Sequence, residues 1–432
     1  MIRNAGNMSV FMRLGLSFQH LLAVFAGTIF VPVMTGLPVP LALFFSGVST
    51  LMFHFFTRGK IPVFHSSSFT VLGGMLFMKQ TCLQRGMTEE VALCYVAFGM
   101  LVMGAMYLLI AQAVRCVSSK VMTCLFSPSV AGTFIMALGL DMLFSATHSI
   151  RTSWIMGLTA VVVTVVVQLF AKGALRMMSV NCGVLAAVGV ALVQGGMFSA
   201  PSVSVPWIEQ PFLRRHMAFG ILGLLDGDMV LLAVVTSIPY AFISVAEHVS
   251  DMLAISRTVR TDYIRTLGLP RTLTATGLTT VLAAVFGSPP TTVYTQTTGL
   301  VTLNGVCDPR LMRLCALMMI VLSFSPRIAG VAGAIPPAVI GGVTLIMYCM
   351  VIVVGWNTVA RSEEGWQSFR TVFIAMVVLV ITLYIKFYHG GSVMVGATEV
   401  SSLAIAWITG LLLNIACMCW ENLQKERSKR YD

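Results

Sequence analysis

Apolar stretches of about 20 residues recur along the whole chain, each long enough to cross ~30 Å of hydrocarbon as a helix. The polar segments between them are too short to fold as an independent soluble domain. The pattern predicts fourteen membrane spans, centred near Val24, Ser46, Gly74, Met100, Met136, Val162, Val188, Pro239, Thr280, Val301, Val321, Leu345, Val377 and Ile405. Two spans are interrupted. Phe64–Thr70 (FHSSSFT) breaks the third, and Ser288–Gly299 (SPPTTVYTQTTG) breaks the tenth. Irregular backbone at bilayer depth survives only where it is buried in protein or lines a polar cavity, because unpaired N–H and C=O groups in hydrocarbon each cost several kcal/mol. Two breaks in matching positions of two halves point to the substrate site of a secondary transporter. The predicted fold class is an all-α polytopic membrane protein with short β-like breaks in spans 3 and 10.

Weak self-similarity supports a two-fold organisation. Phe126–Gly132 (FSPSVAG) and Ile335–Gly341 (IPPAVIG) share Pro-x-Val-x-Gly, and Gln19-His20 in the first span parallels Glu247-His248 in the eighth. Both pairs lie about half the chain length apart, as the two breaks do. Fourteen spans then divide into seven plus seven, and an odd number per copy makes the repeat inverted. Two such halves can exchange conformations, opening a site at their interface first to one side and then to the other.

Composition agrees with the pattern. Of 432 residues, 57 % are hydrophobic and 10 % charged, against roughly 25 % charged in a soluble domain. The start, Met1–Arg13, leads directly into a first span that carries Gln19 and His20, so no cleavable signal peptide is expected. An even number of spans puts both termini on one side. Most lysines and arginines, from Arg3 and Arg13 to the tail's Lys425, Arg427, Lys429 and Arg430, then share that side, which predicts cytoplasmic termini in an inner or plasma membrane. The formal net charge of +11 is thus assigned to topology, not to nucleic-acid binding, since no basic stripe with interleaved aromatics occurs. Ten cysteines form no CxxC pair or Cys/His array, and Cys417 and Cys419 fall on opposite sides of a helix, so neither metal nor cofactor is expected.

Candidate chemistry centres on Glu247, a carboxylate between Phe242, Ile243, Val245 and other apolar residues. An intramembrane carboxylate marks a functional site by default. Asp251 follows at i+4 on the same helix face, and two acids that close repel, so one of them is expected to hold a proton near neutral pH. His248 points about 100° away from Glu247, which favours packing over proton transfer for it. His20 is expected to tie the first span to the third or eighth by a structural hydrogen bond, with Gln19 in support. Around the tenth-span break, Pro289 and Pro290 stop helix growth and Thr291–Val293 favour extended chain. Thr295–Thr298 then start a half-helix whose N-terminus offers unpaired N–H donors at the membrane midplane. Gln296 at the junction presents both a donor and an acceptor. A neutral heterocycle with imide or lactam edges matches that alternation, and Phe69 in the facing break can stack on it for ~1–3 kcal/mol. Ser68, Tyr294, Thr295 and Thr297 complete the candidate contact set. Asp141, Asp226, Asp228 and Glu399 lie near predicted span ends, where solvation or capping suffices.

These residues together resemble the nucleobase–ascorbate transporter family, which holds bacterial uracil and xanthine permeases. The likeness covers nearly the whole chain and is densest at Gln19-His20, Phe30–Pro32, Gly59–Pro62, Ser67–Phe69, Ala246–His248, Phe286–Ser288, Tyr294–Gly299 and Ile335–Gly342. The resemblance implies a core domain of spans 1–4 and 8–11 (residues 14–114 and 225–332). It implies a gate domain of spans 5–7 and 12–14 (residues 115–199 and 333–420), followed by a cytoplasmic tail, 421–432. Movement of core against gate would carry a nucleobase, usually with a proton as the coupling ion, and the gate would mediate a homodimer. Glu247 matches the family's substrate-binding carboxylate, Gln296 the first position of the span-10 signature, and Phe69 the aromatic that lines the base. Glu247, Asp251 and His248 are the candidates for proton coupling.

The signature also departs from the family. It reads roughly Gln/Glu-Asn-x-Gly-x-x-x-x-Thr there, whereas this chain has Gln296-Thr297-Thr298-Gly299 and ends at Asn304-Gly305. Thr276 stands where purine-carrying members often have an acid. Gln at the first position and Asp251 resemble xanthine permeases, so the sequence leans towards purines, with uracil as the alternative. A second alternative is an anion carrier of related fold, against which a fixed negative charge at Glu247 argues. An enzyme would need a nucleophile–base pair or a metal cluster, and the sequence supplies neither.

Overall fold

The computed structural model describes residues 8–116, 128–194, 226–360, 365–395 and 398–431, with residues 206, 208–211, 218, 220 and 362 in the connecting segments. The apolar stretches form helices α1 (Val10–Thr35), α2 (Val39–Phe56), α3 (Leu72–Gln84), α4 (Glu89–Cys116), α5 (Pro128–Ile150), α6 (Trp154–Phe170) and α7 (Ser179–Val193). The second half supplies α8 (Gly227–Val259), α9 (Leu269–Val285), α10 (Thr295–Asn304), α11 (Pro309–Ser323), α12 (Pro337–Ala360), α13 (Phe369–His389) and α14 (Ser402–Tyr431). Short helices at Ala174–Met177, Tyr263–Leu267 and Pro326–Gly333 join longer ones. Among the described residues, α1, α2, α4, α8, α12, α13 and the Ser402–Glu421 part of α14 are each long and apolar enough to cross a bilayer. With the bent helix Pro326–Gly333, α11 makes one further candidate, and α5, α6 and α7 are shorter apolar helices.

Local chemistry fixes the ends. The Ser9 hydroxyl accepts from the Met12 N–H at the start of α1, and Gly36, at φ +85°, closes that helix in the left-handed region. Asp226 and Asp308 cap α8 and α11 in the same way as Ser9. The Asp226 cap agrees with the role its sequence position predicted.

The two breaks become strands β1 (His65–Ser67) and β2 (Thr291–Val293), paired antiparallel with His65 opposite Val293 and Ser67 opposite Thr291. The sequence predicted breaks facing each other across the site. Instead they bond to one another directly, because each supplies the backbone partners that hydrocarbon cannot. The ladder continues beyond the strands: the Ser68 N–H donates to the Pro290 carbonyl at 3.0 Å and the Tyr294 N–H to the Phe64 carbonyl at 2.9 Å. A second hairpin, β3 (Ser392–Val395) with β4 (Thr398–Ser401), connects α13 to α14.

Packing sorts the helices into two sets of neighbours. α4 lies along α9 and α8, and α2 along α11; α5 lies along α12 and α13, and α6 along α7 and α12. At the α5–α12 crossing two glycines meet. A Cβ added at Gly132 would lie 2.7 Å from the Gly355 carbonyl oxygen, and one at Gly355 would lie 2.5 Å from the Gly132 carbonyl oxygen. Small residues let helix backbones approach where no hydrophobic force drives them together in lipid. Gly132→Val must therefore push the helices apart, at a cost of ~1–3 kcal/mol. Thermal unfolding of the purified variant in detergent should show a lowered midpoint; an unchanged midpoint would mean that the crossing has slack.

Candidate functional site

The β1–β2 ladder is the floor on which the site is built. Its outward groups are satisfied by hydroxyls from the flanking helices. Thr28 of α1 meets Ser66 Oγ at 2.7 Å, and Ser67 Oγ donates to the Thr28 carbonyl at 3.2 Å. From α2, Thr50 Oγ1 accepts the His65 N–H at 2.9 Å, while Ser49 Oγ accepts from Thr291 Oγ1 at 2.8 Å. All six strand residues are buried. Each strand runs directly into the start of a half-helix, α3 after β1 and α10 after β2, so both helix N-termini lie beside the ladder. The Leu72 and Thr297 N–H groups bond back to the Phe69 and Tyr294 carbonyls, and the other first-turn N–H groups that have no partner within the helix point where an uncharged, carbonyl-bearing ligand can use them.

Glu247 of α8 reaches the same point. Thr70, at the exit from β1, donates its hydroxyl to Glu247 Oε2 at 2.5 Å. That contact joins the carboxylate to the segment carrying Ser68 and Phe69, both of which are buried. Glu247 itself is half-buried. Tyr294, at the exit from β2, comes within electrostatic range of Glu247. The Tyr294 hydroxyl occupies the space a side chain would fill at Gly27, so α1 closes the site only because residue 27 is glycine. Asp251 is buried one turn along α8, and Tyr107 of α4 lies within electrostatic range of both acids.

His248 turns away from Glu247, as its helical position predicted. Its Nδ1 lies 3.5 Å from Thr276 Oγ1, and His65 Nε2 lies 3.4 Å from the same hydroxyl. Both contacts are long for hydrogen bonds. The Phe53 ring packs on His65 at 4.5 Å between centroids. Thr276 thus sits between two buried histidines behind β1.

The other sequence candidates divide. Thr297 gives its hydroxyl to the Tyr294 carbonyl at 2.6 Å, closing the first turn of α10 rather than reaching outward. Thr295 and Gln296 open α10, but their side chains, like that of Glu399, lie outside the described residues. The tie expected of His20, to the third or eighth span, is not made among the described residues; its neighbour Gln19 instead accepts from Asn304 Nδ2 at 3.3 Å, joining α1 to the end of α10. His20 is fully buried, with no hydrogen-bond partner for either ring nitrogen among the described residues.

Sequence reasoning missed Thr70, His65, Tyr107 and an ion pair. Asp141, expected to be solvated or capping, is instead buried in α5 and paired with Lys386 of α13 at 3.2 Å. The pair borders a small cavity shared with Gln80 of α3 and Tyr240 of α8. One acid and one base, each alone in an apolar span, was the available signal. Removing one partner of a buried pair costs roughly 3–5 kcal/mol because the other charge is left uncompensated. Asp141→Asn and Lys386→Met should each lower the unfolding midpoint in detergent, and the double substitution should lower it less than the worse single one. Additive losses would show that the two charges do not stabilise each other.

Comparison with known proteins agrees with this architecture. The family model described as the Permease family, that of the xanthine/uracil permeases, matches residues 12–391. The uracil permease of Escherichia coli K12 is 28 % identical over 93 % of this chain and 90 % of its own length. The uracil permease of Bacillus subtilis 168 is 26 % identical over 96 % of this chain and 94 % of its own. Among solved structures, the transmembrane domain of the bicarbonate transporter BicA from a cyanobacterium superposes with a TM-score of 0.59 at 10 % identity, covering 94 % of this chain and 97 % of that one. That likeness extends to the fold alone. The apolar helices and the permease relatives make this an integral multi-pass membrane protein and a transporter rather than an enzyme. The chain belongs to the xanthine/uracil permease family, the nucleobase–ascorbate transporters.

Proposed function

We propose that the protein carries uracil or a closely related pyrimidine base across the membrane in symport with a proton. The observation that carries this reading is the Thr70–Glu247 contact at the end of the β1–β2 ladder. It places a carboxylate acceptor beside two half-helix N-termini, and an imide edge alternates N–H and C=O in the matching order. The ring N–H would meet Glu247, the carbonyls would meet backbone N–H groups at the starts of α3 and α10, and Phe69 would cover the ring face. Gln296 and Asp251 lean towards purines, but each is a single position. The uracil permeases resemble this chain over nearly its whole length, and that weighs more.

In this reading fourteen spans form the seven-plus-seven inverted repeat, with α1–α4 and α8–α11 as core and α5–α7 and α12–α14 as gate. The packing partners respect that division, since α4 with α9 and α2 with α11 fall in one set and α5 with α12 and α6 with α7 in the other. Substrate shifts the equilibrium between outward- and inward-open states by its differential affinity for them. Glu247 exchanges the coupled proton, with Asp251 one turn away as its partner, and Gln296 contributes an amide to the base. Both termini lie in the cytoplasm, and the gate helices form a homodimer contact.

Uptake of labelled uracil and xanthine into proteoliposomes, with and without an inward proton gradient, tests this. Uracil uptake should rise with the gradient, resist competition by purines, and fall at least about tenfold in Glu247→Gln, as expected when a charge-assisted hydrogen bond of ~1.5–3 kcal/mol is lost. Xanthine uptake blocked by other purines would return the assignment to purines. Failure of both, with bicarbonate uptake spared in Glu247→Gln, would make the protein an anion carrier.

A further inference from the structure

A groove of about 410 Å³, lined by neither Glu247 nor the residues around it, lies between the start of α1 and the start of α11. Three guanidinium groups enter it, Arg13 from α1 and Arg310 and Arg313 from α11, and no acidic residue lines it. Among the described residues no carboxylate forms an ion pair with any of the three, and Arg13 Nε is buried without an acceptor. Asp308, close by in sequence, accepts the backbone N–H of Arg310 as the cap of α11. The rest of the lining is apolar and includes Leu14, Leu314 and Leu317, the last two one turn along the same helix from Arg310 and Arg313. Leu14 and Leu317 are 41 % and 50 % exposed, and Phe11, Phe18 and Val321 continue that exposed apolar surface along the same two helices. Arginines that serve only to set topology need water, not a concave groove with a leucine wall.

We propose that this groove is a binding site for an anionic phospholipid, whose phosphate is held by Arg13, Arg310 and Arg313 and whose acyl chain lies along Leu14, Leu314 and Leu317. Guanidinium groups take phosphate in bidentate fashion, and their stems lie on apolar surface while the heads reach the interface. Arg13 lies in the first turn of α1, and Arg310 and Arg313 in the first two turns of α11, the helix ends that a bilayer interface would meet. A zwitterionic lipid offers the same phosphate but cancels its charge with a neighbouring ammonium, so net negative charge is the selected property. Basic pockets between membrane helices recognise anionic headgroups in this way. A free phosphate ion would leave the leucine wall unused. The occupied groove would fasten α1, which carries Gln19, Gly27 and Thr28, to α11 at the membrane surface.

The test measures delipidated protein in detergent with phosphatidylglycerol, phosphatidylcholine of the same chains, or inorganic phosphate, reading bound lipid by native mass spectrometry and the unfolding midpoint. Phosphatidylglycerol should bind and raise the midpoint, while the other two should not. The triple substitution Arg13→Gln, Arg310→Gln and Arg313→Gln should weaken phosphatidylglycerol binding at least about tenfold, since three arginines act together. The corresponding triple lysine substitution should retain part of it. Equal binding of phosphatidylcholine, equal protection by inorganic phosphate, or undiminished binding by the glutamine variant would each overturn the proposal. Should the glutamine variant not fold, a photoactivatable phosphatidylglycerol on the unaltered protein decides. Labelling of peptides spanning 10–18 and 309–321 supports the site, and labelling confined elsewhere rejects it.

Discussion

The structure depends on how two stretches of non-helical backbone are satisfied where water is absent. Helices satisfy their own peptide groups, whereas an extended segment at bilayer depth must find partners elsewhere. Phe64–Tyr294 and Ser68–Pro290 extend the three-residue pairing of β1 with β2, so each break is the other's solvent. That mutual dependence brings residues more than 200 positions apart into one ladder and sets the half-helices α3 and α10 beside it. Neither strand would be tolerable alone.

Around this ladder the protein uses neutral hydroxyls rather than charges. Thr28, Ser49, Thr50 and Ser66 supply short, adaptable donors and acceptors that satisfy β1 and β2 without the desolvation cost of an ion. Against that neutral background Glu247 stands out, held by Thr70 and left half-buried. Asp141 and Lys386 solve the same problem differently, each cancelling the other's charge between α5 and α13. A paired charge is suited to holding two helices together. A carboxylate held, among the described residues, by a single hydroxyl remains available to a ligand or a proton.

The shared fold with BicA at 10 % identity separates architecture from chemistry. Half-helices that follow paired strands provide a general polar site within a membrane protein, and what such a site accepts depends on the few side chains placed there. Here those are a carboxylate, hydroxyls and aromatic rings.

The sequence by itself determined the membrane class, the positions of the helices and the location of both breaks, because hydrophobic length and the Pro289-Pro290-Thr291 pattern act locally. It also singled out Glu247, since a lone acid in an apolar stretch is visible without any partner. Only the tertiary structure decided which groups meet. Periodicity placed Asp141 near a span end but could not show Lys386 opposite it, and it expected a His20 tie to the third or eighth span where the structure has Gln19 joined to Asn304 of α10. Thr70 and Gly27 carried no signal of their own. A threonine becomes a carboxylate's donor, and a glycine a tyrosine's berth, only when distant segments are packed against them, because such roles arise from through-space distance rather than spacing along the chain.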